Sequence, residues 1–155
     1  MTDIRTLVQE LRQPGARIGV GIWLLSGKYL GQESAMAARL NLHPLDARQA
    51  YLDLLPQGAR FSGLTRPDGH QKLLNLLRVL SDSIHPRDCL LVHTLDLLLL
   101  GLEVDERERF WQGALEGLPY PRTKLILSLP EKAAFLFPLD FTTRYQDRIA
   151  TKYLE

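Results

Sequence analysis

The stretch Arg17–Ser34 constrains this chain more than any other. An apolar run, Ile-Gly-Val-Gly-Ile-Trp-Leu-Leu at 18–25, breaks into Ser26-Gly27-Lys28-Tyr29-Leu30-Gly31-Gln32-Glu33-Ser34 and then into a helical pattern. A run without polar interruption reads as a strand covered on both faces, the habit of parallel sheets packed between helices. A glycine loop joining such a strand to a helix turns backbone N–H groups and the positive end of the helix dipole toward one point, where an anion is stabilised. The side chains of the loop then decide what that point accepts. Here Gln32 is neutral, and Glu33 puts a negative charge where a phosphate would sit.

The rest of the chain alternates between two periodicities. Ile4, Leu7, Val8 and Leu11 share one helical face, and Pro14-Gly15 ends that helix. Helical spacing returns from about Gln32 to Leu40, with Ala35, Met36 and Leu40 available for packing. It appears again over Leu45–Leu55 (closed by Pro56-Gln57-Gly58) and over His70–Ser81 through Leu73, Leu74, Leu77 and Leu80. Asp105 is placed to cap a further helix, Glu106–Leu118, with Phe110, Trp111 and Leu115 inward and Pro119–Pro121 breaking it. Ala59–Gly69, with Gly63, Pro67 and Asp68-Gly69, predicts an exposed loop. Cys89–Val92 and Lys124–Leu129 are short apolar strands, and a further strand is expected near Leu40–Leu42. Leu95–Leu102 is so uniformly apolar that periodicity does not separate buried helix from strand extension. Glu131–Phe137 reads as a short helical turn, and Asp140–Glu155 as a polar tail with interspersed aromatics. Buried strands alternating with amphipathic helices predict a single three-layer α/β domain over residues 1–155, with a mostly parallel sheet and right-handed crossovers.

Composition narrows the function classes. A net charge of +1 gives no global field to draw the protein onto nucleic acid or anionic lipid. Cys89 is the single cysteine, so no internal disulfide and no thiolate-rich zinc site is expected, and its apolar neighbours predict a buried thiol. Leu95–Leu102 falls far short of the roughly 20 residues a membrane span needs. The mixed-charge N-terminus lacks the apolar core of a signal peptide. A soluble, cytoplasmic protein that makes no membrane contact is the expectation.

Several polar residues stand where open α/β sheets place their chemistry, at carboxyl ends of strands. His93 ends the Cys89–Val92 strand, followed by Thr94 and Asp96. Asp96 either reaches a metal through water or caps the helix beginning at Leu97. A His–Asp pair without an accompanying nucleophile does not suggest a hydrolase. Ser128 lies near the end of the third strand. The run Glu103–Arg109 reads as a solvated helix face with pairs such as Glu103–Arg107. Basic residues in the loop (Arg60, Arg66, Lys72) and tail (Arg144, Arg148, Lys152, beside Tyr145 and Tyr153) offer a nucleic-acid surface, diluted by Asp140, Asp147 and Glu155.

In the order of these parts, the GIWLLSGKYLGQES loop, the CLLVHTLDLLLLGL strand and the KLILSLPE strand, the chain resembles the P-loop NTPase superfamily in its AAA-like branch. Small single-domain members of this size include BrxF, the P-loop protein of bacteriophage-exclusion systems, which the chain resembles distantly. The resemblance implies that Gly27, Lys28, Gly31, Gln32 and Ser34 are the remnant of a nucleotide loop. It also implies that His93 and Asp96 occupy the Walker B region, and that Ser128 has the place of a γ-phosphate sensor. The chain departs from the pattern G-x-x-x-x-G-K-[ST] by one residue between its glycines and by the absence of Lys and Ser/Thr directly after Gly31. No acid directly follows Val92. The expectation is therefore a non-catalytic subunit without a cofactor, assembling with protein partners or with itself in a complex that handles DNA or resists phage. The alternatives are an ATPase using ATP and magnesium through a variant loop, and a nucleic-acid-binding module that is weak on its own.

Overall fold

In the computed structural model, residues 2–16, 18–55, 68–118 and 122–152 are described. The predicted loop Ala59–Gly69 with Arg60 and Arg66, the break at Pro119–Pro121, and Tyr153 and Glu155 thus lie wholly or mainly outside the described residues, as does the side chain of Lys152.

The apolar run after Ala16 forms strand β2 (Val20–Leu25), buried along its whole length. Beside it lie β5 (Lys124–Pro130) and β4 (Cys89–His93), the two other runs rich in Leu, Ile and Val. Three shorter strands complete the sheet: β1 (Thr2–Asp3), β3 (His43–Asp46) and β6 (Ile149–Lys152). The order is β1-β6-β2-β5-β4-β3 and every pairing is parallel. The α/β class with a parallel sheet between helices is thus the observed architecture.

Helices α1 (Ile4–Arg12) and α2 (Glu33–Arg39) cover one face, packing with Trp23, Leu25, Leu91 and Ile126. The opposite face carries α3 (Ala47–Leu54), α4 (Gly69–Asp82), α5 (Leu95–Leu99), α6 (Val104–Glu116) and α7 (Phe141–Arg144). Connections that run one way along the sheet use the first face and those that return use the second, as crossovers of a single hand require. Gly21 lets α1 lie close, since a Cβ there would come within 2.9 Å of Leu7 Cδ2. Arg12 fastens that face at its edge. Its guanidinium bonds Asp88 Oδ1 from Nε at 3.0 Å and also donates to the carbonyls of Leu40 and Asn41 just past α2.

Several expectations are corrected. The further strand is His43–Asp46 rather than Leu40–Leu42, so Leu45 belongs to a strand and α3 begins only at Ala47. Met36 and Ala37 face the sheet while Ala35 is exposed, because the helix places 36 and 37 on its inner arc. The run after Thr94 resolves as helix. Asp105 lies inside the first turn of α6, whose cap position is Glu103. The tail is not merely polar: it holds α7, a 3-10 turn at Gln146–Arg148 and β6. Cys89 is fully buried, and burial pushes its thiol up to about 12, which leaves it protonated and inert.

The charged run in α6 is also not a uniform solvated face. Glu106 is buried and accepts from the backbone N–H of His70 at 2.9 Å, pairs with the His70 ring, and meets Arg109 at 3.2 Å. Burial pushes this carboxyl up, but the bonds and the charges of His70 and Arg109 outweigh it and hold it below the usual range. Arg107 donates from Nε to the carbonyl of Leu99 at 3.0 Å rather than serving Glu103 as a surface pair.

Candidate active-edge pocket

Because β5 is inserted between β2 and β4, the carboxyl ends of these three strands lie side by side. The chain leaves β2 toward α2 on one face and leaves β5 toward α7 on the other. Such a divergence opens a crevice between strand ends, the usual ligand position in open α/β sheets. A cavity of about 230 Å³ occupies it, lined by Leu25, Leu30, Glu33, His93, Thr94, Asp96, Leu97, Ser128, Leu129 and Pro130. The three separate stretches singled out in the sequence therefore converge on one place. His93, Asp96 and Ser128 all line it, but from the glycine loop only Leu30 and Glu33 do.

The loop itself folds inward on its own hydrogen bonds. Gly27–Tyr29 forms a 3-10 turn, and the amides of Tyr29, Leu30 and Gln32 donate to Ser26, Gly27 and Tyr29 carbonyls at 3.0, 3.3 and 3.1 Å. Gly31 takes φ +82°, a left-handed conformation that glycine adopts without steric cost and that lets the chain turn into α2. Gln32 donates from Nε2 to the Lys28 carbonyl at 3.3 Å, closing the loop further. Lys28 Nζ sits 5.1 Å from the centroid of the Tyr29 ring, outside the lining of the cavity, as do Gln32 and Ser34. Amides already engaged within the loop are not offered to a phosphate.

Opposite the loop, Thr94 adopts a left-handed backbone at φ +64°, uncommon for a β-branched residue. Its hydroxyl donates to Asp46 Oδ1 at 2.6 Å and accepts from the amide of Arg48 at 3.1 Å. Asp46 also receives the Gln49 amide at 3.1 Å and stands in register with His93 on the neighbouring strand. Burial pushes the Asp46 carboxyl up, but Thr94, the backbone amides and His93 together leave it below its ordinary value. Thr94 is the site residue that carried no signal in the sequence beyond its position after His93. Nothing there marks a threonine as left-handed.

Asp96 is the contrasting acid. It lies in the first turn of α5, where Thr94 is the cap residue, and its carboxyl is pushed up first by burial and also by Glu33. The amides of Asp96 and Leu97 oppose this without cancelling it. Two carboxylates thus share a small cavity whose other walls are largely leucine and proline. Ser128 is buried, and its hydroxyl donates to the Val92 carbonyl at 3.3 Å, tying β5 to β4. Among the described residues no group of three or more His, Cys, Asp or Glu is placed to hold a metal ion.

Of the tail basics, Arg144 is exposed and reaches Glu116 at 3.3 Å. Arg148, expected on a nucleic-acid surface, is instead turned inward and is only 9% exposed. Its Nε and Nη2 donate to the Val20 carbonyl at 2.9 and 2.6 Å, and Nη1 and Nη2 reach the Leu115 carbonyl at 3.4 Å. A planar fork among inward-facing carbonyls explains why a charge in a polar tail is buried. A larger concavity, about 350 Å³, lies between α6 and Pro138–Tyr145, where the acids Asp105 and Glu108 and the bases Arg109 and Arg144 set no single field. Among the described residues no helix is long and apolar enough to cross a membrane. Compared with known proteins, the chain matches no family model and gives no significant match to a curated sequence or a solved structure.

Proposed function

We propose that this protein is a non-catalytic, P-loop-like α/β subunit that acts through protein contacts as an assembly or regulatory component of a larger complex. One observation carries this reading. The cavity at the strand ends, where a nucleotide's phosphates would belong, presents the carboxylates Glu33 and Asp96, while Lys28 lies outside it and the amides of Tyr29, Leu30 and Gln32 are spent within the loop. A triphosphate brings about four negative charges, and its binding and transfer rest on cations aimed at the β- and γ-oxygens. Two acids at that point oppose both. The cavity is also smaller than the roughly 300–1,000 Å³ of ordinary ligand pockets. A role in DNA handling or phage defence accompanies this reading through the resemblance of the sequence alone, and a cytoplasmic setting is proposed with it.

The test is turnover. With millimolar ATP or GTP and magnesium, phosphate release is expected to stay at the level of the protein-free blank. Release above the blank that disappears in Asp96→Asn would replace this reading with that of a working NTPase.

A further inference from the structure

We infer that the strand-end cavity receives an arginine side chain presented by a partner protein, with the guanidinium between Glu33 and Asp96 and its methylenes against Leu30, Leu97 and Leu129. This deepens the proposed function and rests on it, because the same cavity must be closed to nucleotide.

Size, charge and surroundings select the occupant. A cavity of about 230 Å³ suits one long side chain rather than a whole cofactor. Its lining pairs two carboxylates with apolar walls, which complements a flat, weakly hydrated cation better than a compact, strongly hydrated ammonium. Like charges lining one cavity raise the free energy of the ionised pair: burial pushes the Asp96 carboxyl up, and Glu33 adds to that push. A cation seated between them removes that cost. Among the described residues the cavity has no basic lining residue besides His93.

The ground around the opening fits a protein rather than a free amine. Leu30 and Leu97 at the rim are 46% and 48% exposed, and Leu100, one helical turn on from Leu97, is 51% exposed. Phe135, on the 3-10 segment Glu131–Leu136 that packs against α5, is 67% exposed. An anchoring arginine encircled by apolar side chains that exclude water is the arrangement of an interface hot spot.

The probe is N-acetyl-arginine methylamide, titrated to tens of millimolar into the uniformly 15N-labelled full chain while amide shifts are followed. Saturable shifts confined to Glu33, His93, Thr94, Asp96 and Leu129 are expected. The neutral isostere N-acetyl-citrulline methylamide and the double variant Glu33→Gln/Asp96→Asn should each weaken binding about tenfold or more, as loss of a charge-assisted pair requires. The single variant Leu97→Ala leaves both acids in place and should weaken it less. Absence of these shifts, equal binding of the citrulline probe, or unchanged binding to a folded double variant would overturn the inference. If phosphate release is also absent, only the arginine assignment fails and the non-catalytic reading stands.

Discussion

Replacing Trp111 by alanine is expected to destabilise the protein by about 3–5 kcal/mol, the cost of emptying a large buried aromatic site. Trp111 is fully buried and joins α6 to the C-terminal segment. Its ring centroid lies 5.1 Å from that of Phe110, 5.0 Å from Phe137 and 5.4 Å from Phe141, all in tilted or edge-on geometries. Phe137 stacks on Phe141 at 4.6 Å, and Phe141 meets Tyr145 at 5.0 Å, extending the cluster toward β6. The indole Nε1 donates to the Leu136 carbonyl at 3.0 Å, so truncation also orphans that carbonyl. Since small domains have only about 5–15 kcal/mol in total, this loss is a large share of the stability and should lower the denaturation midpoint markedly. Trp111→Phe keeps a ring but loses the N–H donor and should cost about 1–2 kcal/mol. Urea denaturation of both variants measures this, and a loss below about 1 kcal/mol in the alanine variant would contradict the packing described.

Arg148→Ala is the second large effect, expected at about 2–4 kcal/mol from the loss of charged hydrogen bonds and the exposure of two carbonyls to a cavity. The Leu115 carbonyl belongs to the last turn of α6, which has no basic residue of its own and where a cation complements the helix dipole. The Val20 carbonyl opens β2, so one side chain links the strand, the helix end and the chain entering β6. Burial lowers the guanidinium pKa against the opposing influence of Asp147, Tyr145 and Glu116, and the group stays charged. Arg148→Met retains most of the aliphatic volume and should recover only the packing part of the loss. Equilibrium unfolding is again the measurement. A variant with unchanged stability and altered DNA affinity would mean that Arg148 works at the surface after all.

What the sequence made legible, and what it hid, follows from how each element earns its burial. The strands β2, β4 and β5 are buried on both faces, so continuous apolar runs announce them. The helices α1 and α4 keep one wet face and show the 3.6-residue period. Strand β3 was masked because His-Pro-Leu-Asp has neither alternation nor a strong strand former. It lies at the sheet edge, where a proline costs no ladder bond. β1 and β6 are too short to carry a period and are held by their partners. The place of Arg148 is not legible in the sequence, because a sequence pattern counts charge as surface and only the fold brings the Val20 and Leu115 carbonyls to it. The convergence of His93, Asp96 and Ser128 is legible as the ends of two strands, β4 and β5. That Glu33 rather than Lys28 faces them depends on the 3-10 turn of the loop, which glycine spacing alone does not fix.

On the proposed function, the strand-end cavity is closed to nucleoside triphosphate by its own charge and by the hydrogen bonds that hold the Tyr29, Leu30 and Gln32 amides within the loop. Titration calorimetry of the full chain with magnesium and ATP addresses it most directly. No saturable heat is expected up to millimolar ATP, corresponding to a binding free energy no stronger than about −4 kcal/mol. Micromolar binding abolished by Lys28→Ala would contradict it, showing that Lys28 turns into the cavity and serves the triphosphate from a rearranged loop.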